Sequence, residues 1–154
     1  MIDQIIDTWN INNRINLYLL ESLEEPALEA MAAGGKGRTV GEQFAHLHGV
    51  RLMWLKVGAP DLMTQAKTLG KEDVQDKKAL MEALTTSGRL IAEMLTSALE
   101  QGKLKGFKPH PTAALGYFVA HDAHHRGQIL LCLKQSGIKV DKKISYGMWE
   151  WGAR

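Results

Sequence analysis

Hydrophobic positions recur at helical spacing along most of this chain. Ile2, Ile5, Ile6 and Trp9 stand at i, i+3, i+4 and i+7, and the pattern continues through Ile15, Tyr18, Leu19 and Leu23 to Pro26. A first helix of about twenty residues is predicted. Leu28 to Ala33 reads as an extra turn before the glycines at 34, 35 and 37 break it. Thr39-Val-Gly-Glu42 has the capping-box form, with Thr as N-cap and Glu three positions on, directly ahead of an apolar run. The second helix is predicted from there to about Val57, with an apolar stripe of Leu47, Val50, Met53 and Trp54. Residues 59–73 read as a polar connection holding a short helical piece. A third helix carries Ala79, Leu80, Ala83, Leu84, Ile91, Met94, Leu95 and Leu99; Asp73 or Asp76 caps its start and Gly102 lies at its stop. Pro111 suits the first turn of a fourth helix, which reads to Ser136 with Gly137 beyond.

No segment alternates like a strand, and there is no repeat, low-complexity tract or interdomain linker. Four long helices with modest loops predict an all-α four-helix bundle over residues 1–154, followed by a short C-terminal aromatic segment. Tyr146, Trp149 and Trp151 are expected to close one end of that bundle. With 45% hydrophobic residues a core needs no covalent staples, and Cys132, the single cysteine, cannot form an internal disulfide. A formal charge of +2, with both signs interspersed, argues against nucleic acid as a partner. The N-terminus lacks the basic start and apolar run of a signal peptide, and no stretch is long enough to span a bilayer. A cytoplasmic protein without a membrane partner is the expectation.

Chemistry concentrates in His121-Asp-Ala-His124-His125-Arg126-Gly127-Gln128. His121 and His125 are four apart, so they leave one helical face and can close on a single ion. His124 lies about 60° to one side, close enough to support the ligands from behind, and the spacing assigns it neither to the ion nor to solvent. Gln128, one turn past His125, is placed to hold a ligand imidazole or a bound water. A third ligand is sought in Phe44-Ala-His46-Leu-His48. His46 sits beside the apolar stripe, whereas His48 lies about 200° away and is expected to face water. The candidate metal site is therefore His46, His121 and His125, with a position left for water or substrate. Structural zinc sites normally close all four positions, so an open site points to chemistry. The inward Glu-x-x-His pairs of di-iron bundles are missing, and Asp122 projects about 100° off the ligand face, so a second metal is not expected. Read from spacing alone, the same histidines could instead be packing or surface residues.

The segment Gly41-Glu-Gln-Phe-Ala-His46-Leu-His-Gly-Val-Arg51-Leu-Met-Trp54-Leu, with His-Leu followed by an aromatic eight residues after the histidine, resembles the second helix of the DinB-like (damage-inducible) metal-binding bundles. His121-x-x-x-His125-Arg-Gly-Gln128 is similar to that family's fourth-helix motif, and the ending Tyr146-Gly-Met-Trp-Glu-Trp is similar to one of its branches. The resemblance covers essentially the whole chain. It implies a bundle that binds one divalent ion, zinc or nickel before iron, through His46, His121 and His125. The wider superfamily includes thiol-dependent S-transferases and a thiol-dependent maleylpyruvate isomerase, which implies a small-molecule substrate or a low-molecular-weight thiol as partner. Dimers are common in the family, so a homodimer is a further expectation. The alternative is a non-catalytic metal-binding or stress-response bundle.

Other features have simpler readings. Gly34-Gly-Lys36-Gly-Arg38-Thr39 lacks the spacing and the preceding strand of a phosphate loop; it reads as a flexible connection, with an anion on the second helix's N-terminus as the lesser alternative. Gly127, inside a helix, suggests close approach of another helix, from this chain or a second subunit. Gly49 suggests helix packing or space beside His46. Arg126 is expected to pair with an acid on a neighbouring helix, and Cys132 to be a small core residue. His124 and Glu42 are the positional candidates for a general base, although capping competes for Glu42.

Overall fold

The computed structural model describes residues 1–154, and its four long helices are α1 (Ile2–Glu21), α2 (Val40–Gly58), α3 (Lys77–Gln101) and α4 (Pro111–Gln135). There is no strand, only a single bridge between Leu104 and Phe107. Short helical turns fill the connections at 25–29, 60–63 and 73–75, and the tail forms turns at 142–147 and 151–153.

Local chemistry sets each boundary. The box on α2 is complete: Thr39 Oγ1 accepts from the Glu42 amide at 3.2 Å, and Glu42 Oε2 accepts from the Thr39 amide at 2.8 Å. Two orphan amides are satisfied at once, and the Glu42 carboxylate is thereby committed. Asp76, one of the two expected caps, accepts from the Ala79 amide at 3.0 Å to start α3, and Gly102 ends that helix at φ 72°. His110 Nδ1 accepts from the Ala113 amide at 3.2 Å ahead of Pro111, and so caps α4.

α1 packs on α3 and α4, and α2 packs on the same two helices. Gly88 permits close approach of α1 and α3, since a Cβ there would lie 2.2 Å from Asn13 Nδ2; its carbonyl accepts from Trp9 Nε1 at 2.8 Å. The interior is two apolar clusters. One holds Ile15, Leu19, Leu20, Phe44, Leu47, Leu84 and Ile129, and the other Trp9, Leu55, Leu90, Ile91, Leu95, Ala114 and Phe118. On every helix the residues separating the two clusters are polar and buried: Asn12, Asn13 and Asn16 on α1, Arg51 on α2, Ser87 on α3 and Asp122 on α4. The bundle is thus interrupted at mid-height by a polar layer.

Four expectations change. The buried face of α2 runs through Phe44, Leu47, His48, Arg51, Leu52 and Leu55, whereas Met53 from the expected stripe is 51% exposed. The aromatic tail does not close the bundle: Trp149 is 81% exposed and Tyr146 70%, and the tail is held through buried Met148 and through Arg154, whose guanidinium lies 3.8 Å over the Tyr18 ring. No helix of this chain approaches Gly127, where a Cβ would meet nothing within 4 Å. Arg126 does reach α1, but its partners there are amide oxygens, Asn12 Oδ1 at 2.9 Å and Asn16 Oδ1 at 2.6 Å. Cys132 is a buried core residue, as expected. No helix is long and apolar enough to cross a membrane.

Candidate metal centre

α2 and α4 face one another across a seam, and His46 from the first meets His121 and His125 from the second. The rings form a triangle with centroids 5.3 Å (His46–His121), 4.6 Å (His46–His125) and 4.6 Å (His121–His125) apart. Each offers one nitrogen, and those atoms all lie within 4.8 Å of one another. No cysteine or carboxylate joins the group. His125 is buried, whereas His46 and His121 remain partly open to solvent.

The donor set suits a divalent transition ion. Gln43 Oε1 sits 2.6 Å from His125 Nδ1, so Nδ1–H donates to it and the Nε2 lone pair is left to ligate. His121 Nδ1 stands 3.8 Å from Asp122 Oδ1, which turns that edge of the ring towards a carboxylate and the other towards the seam. His46 makes no hydrogen bond. Metal ligation requires neutral imidazoles, and the site favours them. The pKa of His125 is lowered to about 4 by burial and by the neighbouring charges of His121, His46, His124 and Arg38. That of His46 is lowered by burial, Arg38 and His121. Tyr117 stacks on His121 at 6.1 Å and 18°, and its ring also packs at 5.7 Å on Trp54, the aromatic eight residues after His46.

The polar layer abuts this site. Asp122 Oδ2 accepts from Asn12 Nδ2 and Asn16 Nδ2, both at 2.8 Å, and from Arg51 Nη2 at 2.9 Å. Arg51 Nη1 donates to Asn13 Oδ1 at 2.7 Å and to the Leu84 carbonyl at 3.2 Å, and its guanidinium lies 4.9 Å over the Trp9 ring. Burial alone would raise the Asp122 carboxyl, but the Arg51 charge and the polar contacts of His121, Arg51 and Asn16 prevail and hold it at about 2. Asp122 does lie off the ligand face, and it serves as the hub of an internal ion pair.

The remaining site candidates fall elsewhere. His48 is buried, with Nε2 2.7 Å from the Lys67 carbonyl, because the connection after α2 folds back over the face predicted to meet water. His124 is exposed and pairs with Gln128 Nε2 at 3.0 Å, so the Gln128 amide is directed at His124 and away from a ligand ring. Glu42 is occupied by its cap. Gln43 was not singled out in the sequence, yet it stands one turn before His46 and an i, i+3 search from that histidine finds it.

Fold and site together define a class, the helical bundles that set three imidazoles on the seam between the second and fourth helices with no fourth protein ligand. The chain belongs to the DinB family, whose profile matches residues 1–143. Neither the curated proteins nor the solved structures include a significant match to it.

Proposed function

We propose that this protein holds one divalent transition-metal ion, zinc, nickel or iron, through His46, His121 and His125, and that the site works on a small molecule as a hydrolase or thiol S-transferase. The observation that carries the reading is three convergent nitrogens within 4.8 Å without a fourth protein ligand, since a closed set would serve structure alone. An ion there would supply Lewis acidity, making a water or a low-molecular-weight thiol at the free position nucleophilic near neutral pH. The chain supplies the rest. Gln43 fixes the His125 tautomer, the Asp122 carboxylate orients His121, and the Tyr117 ring lies nearly parallel to that of His121 at 6.1 Å.

Metal analysis of protein purified without a histidine tag is the first test, and about one equivalent is expected. Retention of less than half an equivalent, with none regained on adding zinc, nickel or iron(II), sinks the reading. Cobalt-substituted protein then separates the chemistries. A sulfur-to-cobalt absorption band on adding glutathione or another small thiol supports thiol activation, and turnover of activated esters without such a band supports hydrolysis. Metal bound with neither result leaves a non-catalytic metal-binding bundle.

A further inference from the structure

One turn along the seam from the histidines, towards the N-terminus of α2, lies a cavity of about 250 Å³ lined by Lys36, Arg38, Gln43, Gln128, Leu131 and Cys132 together with two small residues. Gln43 also holds His125, so the cavity and the imidazole cluster share a wall. None of the residues lining it is acidic.

The chain has six arginines, and five are matched within the protein. Arg14 meets Asp7, Arg51 meets Asp122, Arg89 meets Glu93, Arg126 meets two asparagines, and Arg154 meets Glu150. Arg38 makes neither an ion pair nor a hydrogen bond, and the same holds for the Lys36 ammonium beside it. Yet Arg38 lines the same cavity as Gln43, the residue that holds His125. The segment bearing it is tethered: the Ala33 amide donates to Gln135 Oε1 at 2.6 Å, Ser136 Oγ donates to the Met31 carbonyl at 3.1 Å, and the Val40 amide donates to the Ala30 carbonyl at 2.9 Å. Gly35 and Gly37 adopt φ of 63° and 95° on either side of Lys36, a path that L side chains resist. The capping box occupies the Thr39 and Glu42 amides at the helix terminus, so those two donors are not available to an anion.

We propose that this cavity receives the anionic group, carboxylate or phosphate, of the small molecule on which the tri-histidine site acts, with Arg38 as its principal anchor and Lys36 as the second cation. A guanidinium presents paired donors that match either group. The Gln43 side-chain amide adds a neutral donor, and Leu131 and Cys132 offer an apolar wall to the carbon skeleton. The inference rests on the proposed metal chemistry only for what happens to the substrate; recognition of the anion is a property of the metal-free chain.

The test therefore uses metal-free protein, titrated at constant ionic strength with inorganic phosphate and, separately, with succinate. The Arg38 Nε–H and the side-chain amides of Gln43 and Gln128 are followed by NMR. Saturable shifts at millimolar concentration are expected for at least one anion, and the arm that saturates at lower concentration identifies phosphate or carboxylate as the class. Arg38→Gln should weaken binding at least fivefold and Lys36→Gln by less, whereas Lys142→Gln, an equal charge change on the exposed tail, should leave it unchanged. His121→Ala should retain it although metal binding is lost. Shifts that never saturate, or equal weakening in Arg38→Gln and Lys142→Gln, overturn the proposal and leave the metal reading standing; absent metal uptake with intact anion binding does the reverse.

Discussion

Asp122 and His121 are adjacent in sequence, yet they belong to polar clusters of opposite character. The Asp122 cluster is closed on itself but for one atom: three donors converge on one carboxylate oxygen, and the Arg51 guanidinium is engaged through both terminal nitrogens, with only Nε lacking a partner. The histidine cluster is deficient, because three rings meet and only one makes a hydrogen bond within the protein. A group of buried polar atoms that satisfies itself specifies how helices pack. A group that converges and leaves lone pairs unused is complete only when something else binds. The contrast distinguishes a structural role from a binding role where composition and burial do not.

The sharpest way to break this comparison is Asp122→Ala. It strands the Arg51 charge in a site where that side chain is 1% exposed. A loss of about 3–5 kcal/mol is expected, read from urea unfolding of the metal-free protein. Replacing both members by apolar residues of similar volume, Arg51→Met with Asp122→Leu, should recover most of that loss. If Asp122→Ala costs less than about 1 kcal/mol, the polar layer is not what organises the bundle.

Alanine at His121 and alanine at His48 should give opposite phenotypes. His121→Ala is expected to abolish metal retention while changing stability by less than about 1 kcal/mol, because the ring is partly exposed and its contact with Asp122 is long at 3.8 Å. His48→Ala is expected to keep the metal and to destabilise by about 1–3 kcal/mol, since it leaves a cavity and removes the partner of the Lys67 carbonyl. Equal metal loss in both variants would contradict the geometry of α2.

These two histidines also mark the limit of what the sequence discloses. The helices, both capping signals on α2 and α3, and the three converging rings were legible, because periodicity and i, i+4 spacing are local properties. The face of α2 was not. Its buried stripe includes His48 and Arg51, polar residues that a hydrophobic pattern assigns to solvent, and the partners that allow their burial lie on α1, α3, α4 and the connection after α2. Asn12 and Asn16 stand four apart like a ligand pair, but nothing local says that their target is Asp122, more than a hundred residues on. The tail misled for the opposite reason. Three aromatics suggest burial by composition, whereas Met148 and Arg154 hold the segment and leave Trp149 outside.

Gln43→Leu probes the contact that supports the site from behind. The ring of His125 would lose the acceptor on Nδ1 and with it the preference for one tautomer. Metal affinity should fall about 10- to 100-fold, measured by competition with a chromophoric chelator, with the fold retained. Unchanged affinity would mean that α4 alone orients His125.

Acid should separate the two clusters along the pH axis, with the smallest effect of the set. In metal-free protein the His125 pKa is lowered from 6.5 to about 4, so between those values the unfolded chain binds the proton first and stability falls as pH drops. His46 and His48, both lowered chiefly by burial, act in the same direction. Asp122 contributes in the window below. With its carboxyl held at about 2 against an ordinary 3.8, its stabilisation is intact above 3.8 and disappears as pH falls towards 2. Urea midpoints should thus decline gently from pH 6.5 to 4 and more steeply beneath, the upper part amounting to about 1 kcal/mol once water at the seam is allowed for. His125→Ala should make the upper part shallower, leaving what His46 and His48 contribute, and should not change the lower. One undivided transition below pH 4, identical in that variant, would show that the imidazoles are not held neutral by the fold, and the electrostatic distinction between the clusters would fail with them.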